Sequence, residues 1–403
     1  MDTILDYIRW RGDIPLSIDG LREADALVLC MLSYYDLKPM WADHEGPIHL
    51  RDCKKLLDEG PVPVMLVGRD MDYQEIFSQA VASRRFGDLL ISDYVDQVRD
   101  EPPMQFAALC FHDASGISFL AFRGTDDSLA GWEEDFMIGF MRTEAQVLAL
   151  RYAEAHLTTG RRWYMGGHSK GGNLALFVAC SLQQPVLDLL ERIFILDGPG
   201  LCEEVMDISG MKRIDSRSTR IIPRFSVIGK LFEPQITDSR IVRSNASGMT
   251  QHSLATWGID HGGLDLCEEN DPRSRWINAA VGEWIASISQ EDRVVFVREL
   301  FDALAANGAH TLDELDNAGA GGFENILRCL LASSEVTKKT ISDLPKQAVS
   351  QVVSAASQAV SAASQAVSAA THLLWNAGDR REKEGSADEQ EKSDAEALTA
   401  AEK

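Results

Sequence analysis

Gly167-His168-Ser169-Lys170-Gly171 spells G-x-S-x-G between two mainly apolar runs, Arg162 to Gly166 and Asn173 to Cys180. The first run reads as a strand and the second as a helix. A strand, a tight turn and a helix form the elbow that holds a serine out from a sheet. A serine hydroxyl is a weak nucleophile, so it needs that exposure and a base within reach. Gly167 and Gly171 permit the turn and let the helix lie close to the strand. His168 completes the elbow, and its side chain is expected to point away from the reacting centre. The chemistry is nucleophilic acyl transfer, which also requires an acid to orient the base and N–H donors for an oxyanion.

In the α/β-hydrolase arrangement the acid and then the histidine follow the serine along the chain. Four histidines follow Ser169: His252, His261, His310 and His372. His372 closes a repeat and His310 lies between helices. His252 sits in a loop after the strand-like Arg240-Ile241-Val242-Arg243, where a base belongs, and His261 in Gly258 to Gly263 is its rival. Asp197 ends the apolar run Ile193 to Leu196, so it reaches the same sheet edge as the elbow. Asp238 is the alternative acid, and a plain turn beginning Asp-Gly-Pro-Gly is the alternative reading of Asp197. For the oxyanion, the N–H of Lys170 and that of Thr125 are the candidate donors. Thr125 lies in Phe122-Arg123-Gly124-Thr125, which leaves a strand and opens a loop or an ordinary turn.

The elements that must position these residues follow from pattern. Residues 1–85 read as a helical and loop segment packing on the core, with Leu21 to Leu32 as a helix. Residues 86–275 read as the α/β core. Asp88 to Val95 has the composition of an edge strand. Gln105 to His112 and Ile117 to Phe122 form a hairpin about Ser115-Gly116. Glu144 to Leu157 is an amphipathic helix. Arg192 to Leu196 is apolar throughout after its first residue, as a central parallel strand should be. Thr219 to Ile222 is a further short strand. The expected architecture is an α/β-hydrolase fold with a mostly parallel central sheet. Residues 276–345 read as a helical extension.

Gln351 to Thr371 carries a seven-residue repeat with Val353, Val360 and Val367 on one stripe. Its small seam residues suit a helical linker, a weak coiled coil or an amphipathic helix on lipid. Residues 346–375 are therefore expected to form a low-complexity helix, with weak self-association through 347–371. Residues 376–403, charged and Ala-rich, are expected to be a disordered acidic tail.

The bulk composition narrows the partners. The chain has 403 residues and a net charge of -23, which disfavours nucleic acid and anionic membranes. Seven scattered cysteines without a C-x-x-C pair suit a reduced, cytoplasmic protein. The N-terminus lacks signal-peptide character, and no apolar run reaches membrane-spanning length. No metal or other cofactor is implied, because no His/Cys/Asp cluster shows ligand spacing along the chain.

Phe122-Arg123-Gly124-Thr125, Gly131-Trp132, Asp135-Phe136 and Gly167 to Ala175 together resemble the class 3 lipases within the α/β hydrolases. The likeness is closer to the bacterial, lipase-like Mbeg-like family. It extends through Ile4 to Asp13, Arg85 to Asp88, Asp197 to Gly200, Ser226 to Gly229 and Gln251-His252 with Trp257, over roughly residues 1–330. The resemblance implies Ser169 as nucleophile, His252 as base and Thr125 as an oxyanion contributor. Class 3 lipases carry their acid about where Pro223-Arg224-Phe225-Ser226 lies here, and that segment has none. Either Asp197 serves, or the triad is incomplete. The expectation is a serine hydrolase cleaving carboxylic esters, acyl or lipid esters foremost, through an acyl-enzyme. The alternatives are an inactive scaffold or binding protein, or a thioesterase, peptidase or acyltransferase on the same residues. Ser128 to Phe140 reads equally as a lid over an acyl pocket or as a core-packing helix.

Overall fold

Helix α1 (Ile4–Arg11) and helix α2 (Glu23–Leu32) begin a layer that covers one face of a nine-stranded sheet. The run Ala26 to Leu32 is apolar on every side, so α2 is buried all round. It packs on the sheet below, while α1 and helix α3 (Tyr73–Ala82) belong to the same apolar cluster. A buried ion pair fastens this layer. Arg85 grips both oxygens of Asp25 from Nε at 2.6 Å and Nη2 at 2.5 Å, and Tyr7 donates to Asp25 at 2.8 Å. The structure is a computed structural model, and it describes residues 1–343 apart from 43, 66–71, 127, 203, 204, 312, 313, 315–325 and 327. The repeat and the acidic tail lie outside the described residues.

The sheet runs in chain order from β1 (Ile48–His49) through β2 (Leu90–Arg99), β3 (Met104–His112), β4 (Ile117–Phe122), β5 (Arg162–His168), β6 (Leu190–Leu196), β7 (Ser218–Pro223) and β8 (Ser239–Val242). A separate hairpin pairs β9 (Ile259–Asp260) with β10 (Gly263–Leu264), and β11 (Leu266–Cys267) closes the main sheet beside β8. The sheet is mixed, which corrects the expectation of a mostly parallel one. Four pairings, from β4 to β8, are parallel, and the other four are antiparallel. For two of the antiparallel pairings, β2 with β3 and β3 with β4, the reason is connection length. A parallel pairing needs a crossover long enough for a helix, and the turns at 100–103 and 113–116 are too short for anything but hairpins.

Both faces of the central strands are buried, and alternation sorts their side chains. Phe194 and Leu196 of β6 face the layer of α1 and α2, whereas Ile193 and Ile195 face the other side. That second face is covered by helix α4 (Leu129–Ile138), helix α5 (Glu144–His156) and helix α6 (Lys170–Ser181). All the elements so far belong to one unit, Met1–Glu283. Residues 1–85 are a layer of that unit.

The second unit begins at Trp284. In it, helix Gln290–Leu304 buries Phe296, Val297, Leu300 and Phe301, and helix Glu335–Ser342 packs against it. The Glu299 carboxylate accepts from the Ser334 hydroxyl, 2.8 Å away. Among the described residues, no helix is long and apolar enough to cross a membrane.

Candidate active site

Ser169 stands between the end of β5 and the start of α6 with φ 56° and ψ -128°. A non-glycine residue there is strained, and surrounding contacts must hold it. Its N–H donates to the Leu196 carbonyl at 2.9 Å, and its carbonyl accepts from Gly172 N–H at 2.9 Å. Gly167 and Gly171 meet backbone to backbone. A Cβ on Gly167 would lie 2.2 Å from the Gly171 carbonyl, and one on Gly171 would lie 2.2 Å from the Phe122 carbonyl oxygen. Neither position admits a side chain, so the glycines set how closely α6 approaches β4 and β5.

Asp197 follows β6 with φ 45°. Its carboxylate is 1% exposed and divides between two partners. Oδ2 lies 2.6 Å from His252 Nδ1, and Oδ1 accepts from the Ser226 hydroxyl at 2.5 Å. The loop that lacks an acid thus supplies a hydroxyl to Asp197. His252 closes a short helical turn after β8, and its side chain is 26% exposed. Gln251 fixes that turn, because its side-chain oxygen accepts from Phe225 N–H at 2.9 Å and its carbonyl from Trp257 Nε1 at 2.8 Å.

The alternatives sit elsewhere. Asp238 binds Thr219 at 2.9 Å and Arg240 at 2.7 Å. The side chain of His261 is 95% exposed, beside Asp260 on the β9–β10 turn.

His168 does not point away from this region as expected. Its ring lies 4.5 Å from that of His252, and Nε2 lies 2.8 Å from the His252 carbonyl oxygen. A carbonyl only accepts, so Nε2 carries the hydrogen and Nδ1 accepts from the Tyr34 hydroxyl at 2.9 Å. Tyr34 in turn accepts from Gly124 N–H at 3.1 Å. Burial pushes the His168 pKa well below its usual range, and His252 pushes it in the same direction, so the ring is neutral.

Gly124 and Thr125 leave β4 beside the elbow. A Cβ on Gly124 would meet the Tyr34 hydroxyl at 2.1 Å, so only glycine fits. The Thr125 hydroxyl donates to Asp135 of α4. Burial pushes the Asp135 carboxyl up to about 6 despite the opposing pull of Lys170. The Lys170 side chain is buried rather than reaching the solvent. Its Nζ lies 2.7 Å from Glu134 and 3.2 Å from Gln105 Oε1. Glu134 also accepts from the N–H groups of Gln105 at 3.0 Å and Ala145 at 2.9 Å. These contacts anchor α4 as a core-packing helix, with Leu129, Met137 and Ile138 buried and Phe136 exposed.

Sequence pattern alone assigns no part in the site to Tyr34, Ser226, Glu134 or Asp135, although Ser226 lies in Ser226 to Gly229 and Glu134 and Asp135 lie in Ser128 to Phe140. Tyr34 carries no local signal, since its partner His168 is 134 positions away.

A family model described as Mbeg1-like matches residues 80–302. Among solved structures, the crystal structure of M37 lipase is similar at 15% identity, covering 51% of this chain and 68% of that one, with a TM-score of 0.30. A likeness so loose carries no argument about this chain. No curated protein matches.

Proposed function

The chain belongs to the Mbeg1-like family, matched over residues 80–302, and from that premise we propose that it is a serine hydrolase of carboxylic esters. Ser169 is the nucleophile, His252 the base, and Asp197 the acid that orients it. The observation that carries this reading is the contact of 2.6 Å between Asp197 Oδ2 and His252 Nδ1, while Ser169, held at φ 56°, is bound through its N–H to the carbonyl of Leu196, the residue before Asp197.

The Ser169 oxygen attacks the ester carbonyl carbon while its proton passes to His252 Nε2. Asp197 holds the Nδ1 hydrogen and stabilises the imidazolium. The carbonyl oxygen becomes an oxyanion that accepts from the backbone N–H groups of Lys170 and Thr125. The C–O bond then breaks, His252 returns the proton to the leaving alcohol, and water repeats the sequence on the acyl-enzyme. Acyl and lipid esters are the substrate class. Thioesters and amides would use the same steps.

The test is covalent labelling with a fluorophosphonate probe, comparing intact protein with Ser169→Ala and His252→Ala. The reading expects labelling that needs both residues. Folded intact protein that stays unlabelled, with and without detergent, would point to a scaffold instead.

A further inference from the structure

The far end of the sheet gathers a second group of reactive side chains. Cys110 and His112 are two residues apart on β3, so alternation sends both onto the face covered by α5. Ser92 of β2 pairs directly with Cys110 and shares that face. Strict alternation would turn the next residue, Asp93, to the opposite face. It does not, because the pairing of β2 with β3 slips between Ser92 and Val95, and Asp93 takes φ 57°. Bulges of this kind re-aim a side chain. Here one carboxylate oxygen, the Cys110 sulfur and a His112 ring nitrogen all lie within 4.8 Å of one another.

We propose that Asp93, Cys110 and His112 bind one Zn2+ ion, with water in the fourth position. A thiolate, an imidazole and a carboxylate form a borderline-soft set that favours Zn2+ over Ca2+ or Mg2+. Bond lengths of about 2.0–2.3 Å around a tetrahedral ion put the ligand atoms roughly 3.5 Å apart. Closing from 4.8 Å therefore takes about 1 Å of side-chain movement. The surroundings are those of a held ligand set. Ser92 and Ser118 hydroxyls contact the two ring nitrogens of His112 at 2.8 Å and 2.9 Å. The ion displaces the Ser92 contact, and the Ser118 contact keeps the ring oriented. His156 Nδ1 stands 3.4 Å from Asp93 Oδ1, and the Tyr152 hydroxyl donates to the Asp93 carbonyl at 2.8 Å. Asp93 is exposed, which gives the ion a way in. On binding, the Cys110 thiol loses its proton to solvent and the sulfur takes the metal.

This site is remote from Ser169. His112 pairs with Ser118 near the start of β4, and Ile117 pairs with Arg162 at the start of β5. Ser169 follows the other end of β5, roughly 20 Å away at about 3.3 Å per residue. The ion therefore clamps the β2 bulge to β3 and touches no reacting atom.

The test uses the full chain, stripped with a chelator and titrated with Co2+ and then Zn2+. The expected result is one equivalent of Co2+ with a thiolate charge-transfer band in the near ultraviolet, displaced by Zn2+. Cys110→Ser should abolish the band, and His112→Gln should weaken binding at least tenfold. Asp93→Asn, on the exposed side, should also weaken it, and serves if the buried variants do not fold. Saturating Co2+ without the band overturns the proposal. So does a band that survives in folded Cys110→Ser, because another cysteine would then be the ligand. Unchanged affinity in Asp93→Asn, which would assign binding to other carboxylates, also overturns it.

Discussion

His168 donates from Nε2 to the backbone carbonyl of His252, 2.8 Å away, and so ties the elbow to the loop that carries the proposed base. The same ring accepts from Tyr34, which accepts from Gly124, so one chain of hydrogen bonds joins the loop after β4, the elbow and the His252 loop. His168→Ala should leave the His252 carbonyl without its partner, and the Tyr34 hydroxyl with only the longer contact of 3.3 Å to the backbone carbonyl of residue 168 as an acceptor. An unsatisfied buried group costs about 1–3 kcal/mol. If that cost falls on the orientation of His252, kcat/KM for an ester drops roughly 10- to 100-fold. Steady-state kinetics on a nitrophenyl ester reads this directly. A rate equal to the parent protein would mean that Gln251 and Trp257 hold the loop alone.

In the proposed triad the two oxygens of Asp197 have separable tasks. Asp197→Asn keeps the shape but loses the charge that stabilises a protonated His252, and about a 10⁴-fold loss in kcat is expected. Ser226→Ala removes only the donor on the other oxygen. A hydrogen bond to a charged group is worth about 1.5–3 kcal/mol, so a loss of roughly 10- to 150-fold is expected. The order of the two effects is the check. Equal losses would mean that Ser226, not Asp197, sets the geometry of His252.

Much of this site is legible in the sequence, for a physical reason. The elbow is local, since Gly167, Ser169 and Gly171 lie within one turn. Asp197 ends an apolar strand whose direction is set by the helix before it. The rest depends on contacts that no local pattern encodes. Tyr34 meets His168 across 134 positions. Lys170 looks like an exposed lysine in the motif, yet its side chain is 1% exposed because Glu134, on a helix read equally as a lid, faces it. Among the parallel strands, β4 and β6 are legible as apolar runs, whereas β7 and β8 mix in polar and charged residues. The antiparallel edges are hard to read, because β1 and β11 span two residues each and carry little pattern. Asp93 sits on its face only through a bulge, which alternation alone does not foresee.

Asp135 links Thr125 to pH. Its carboxyl is raised from 3.8 to about 6, chiefly by burial. The folded protein therefore holds a proton that the unfolded chain releases between those two values. Stability should be fully present below about pH 4 and should fall as pH rises to about 6, by about 3 kcal/mol at most. Asp135→Asn removes that dependence. Urea unfolding of both proteins at pH 4, 5, 6 and 7 checks it through the difference between them, which cancels other titrating groups. Parallel curves would show that Asp135 is already ionised at pH 4.

Arg85 and Asp25 join the helices of residues 1–85 to one another beneath the sheet. Both side chains are fully buried. Arg85 also donates from Nη1 to the Ile14 carbonyl at 2.7 Å and from Nη2 to the Gly20 carbonyl at 3.0 Å. Arg85→Ala strands the Asp25 carboxylate in an apolar layer, and a loss of about 3–5 kcal/mol is expected. Arg85→Lys should recover only part of it, because an ammonium cannot grip both carboxylate oxygens and reach two carbonyls. The double variant Asp25→Leu with Arg85→Met should lose less than Arg85→Ala, since no buried charge is then left unpaired. Urea midpoints for the three variants distinguish the cases. If the double variant proves the least stable, the network is held by its hydrogen bonds to the backbone more than by the pairing of its charges.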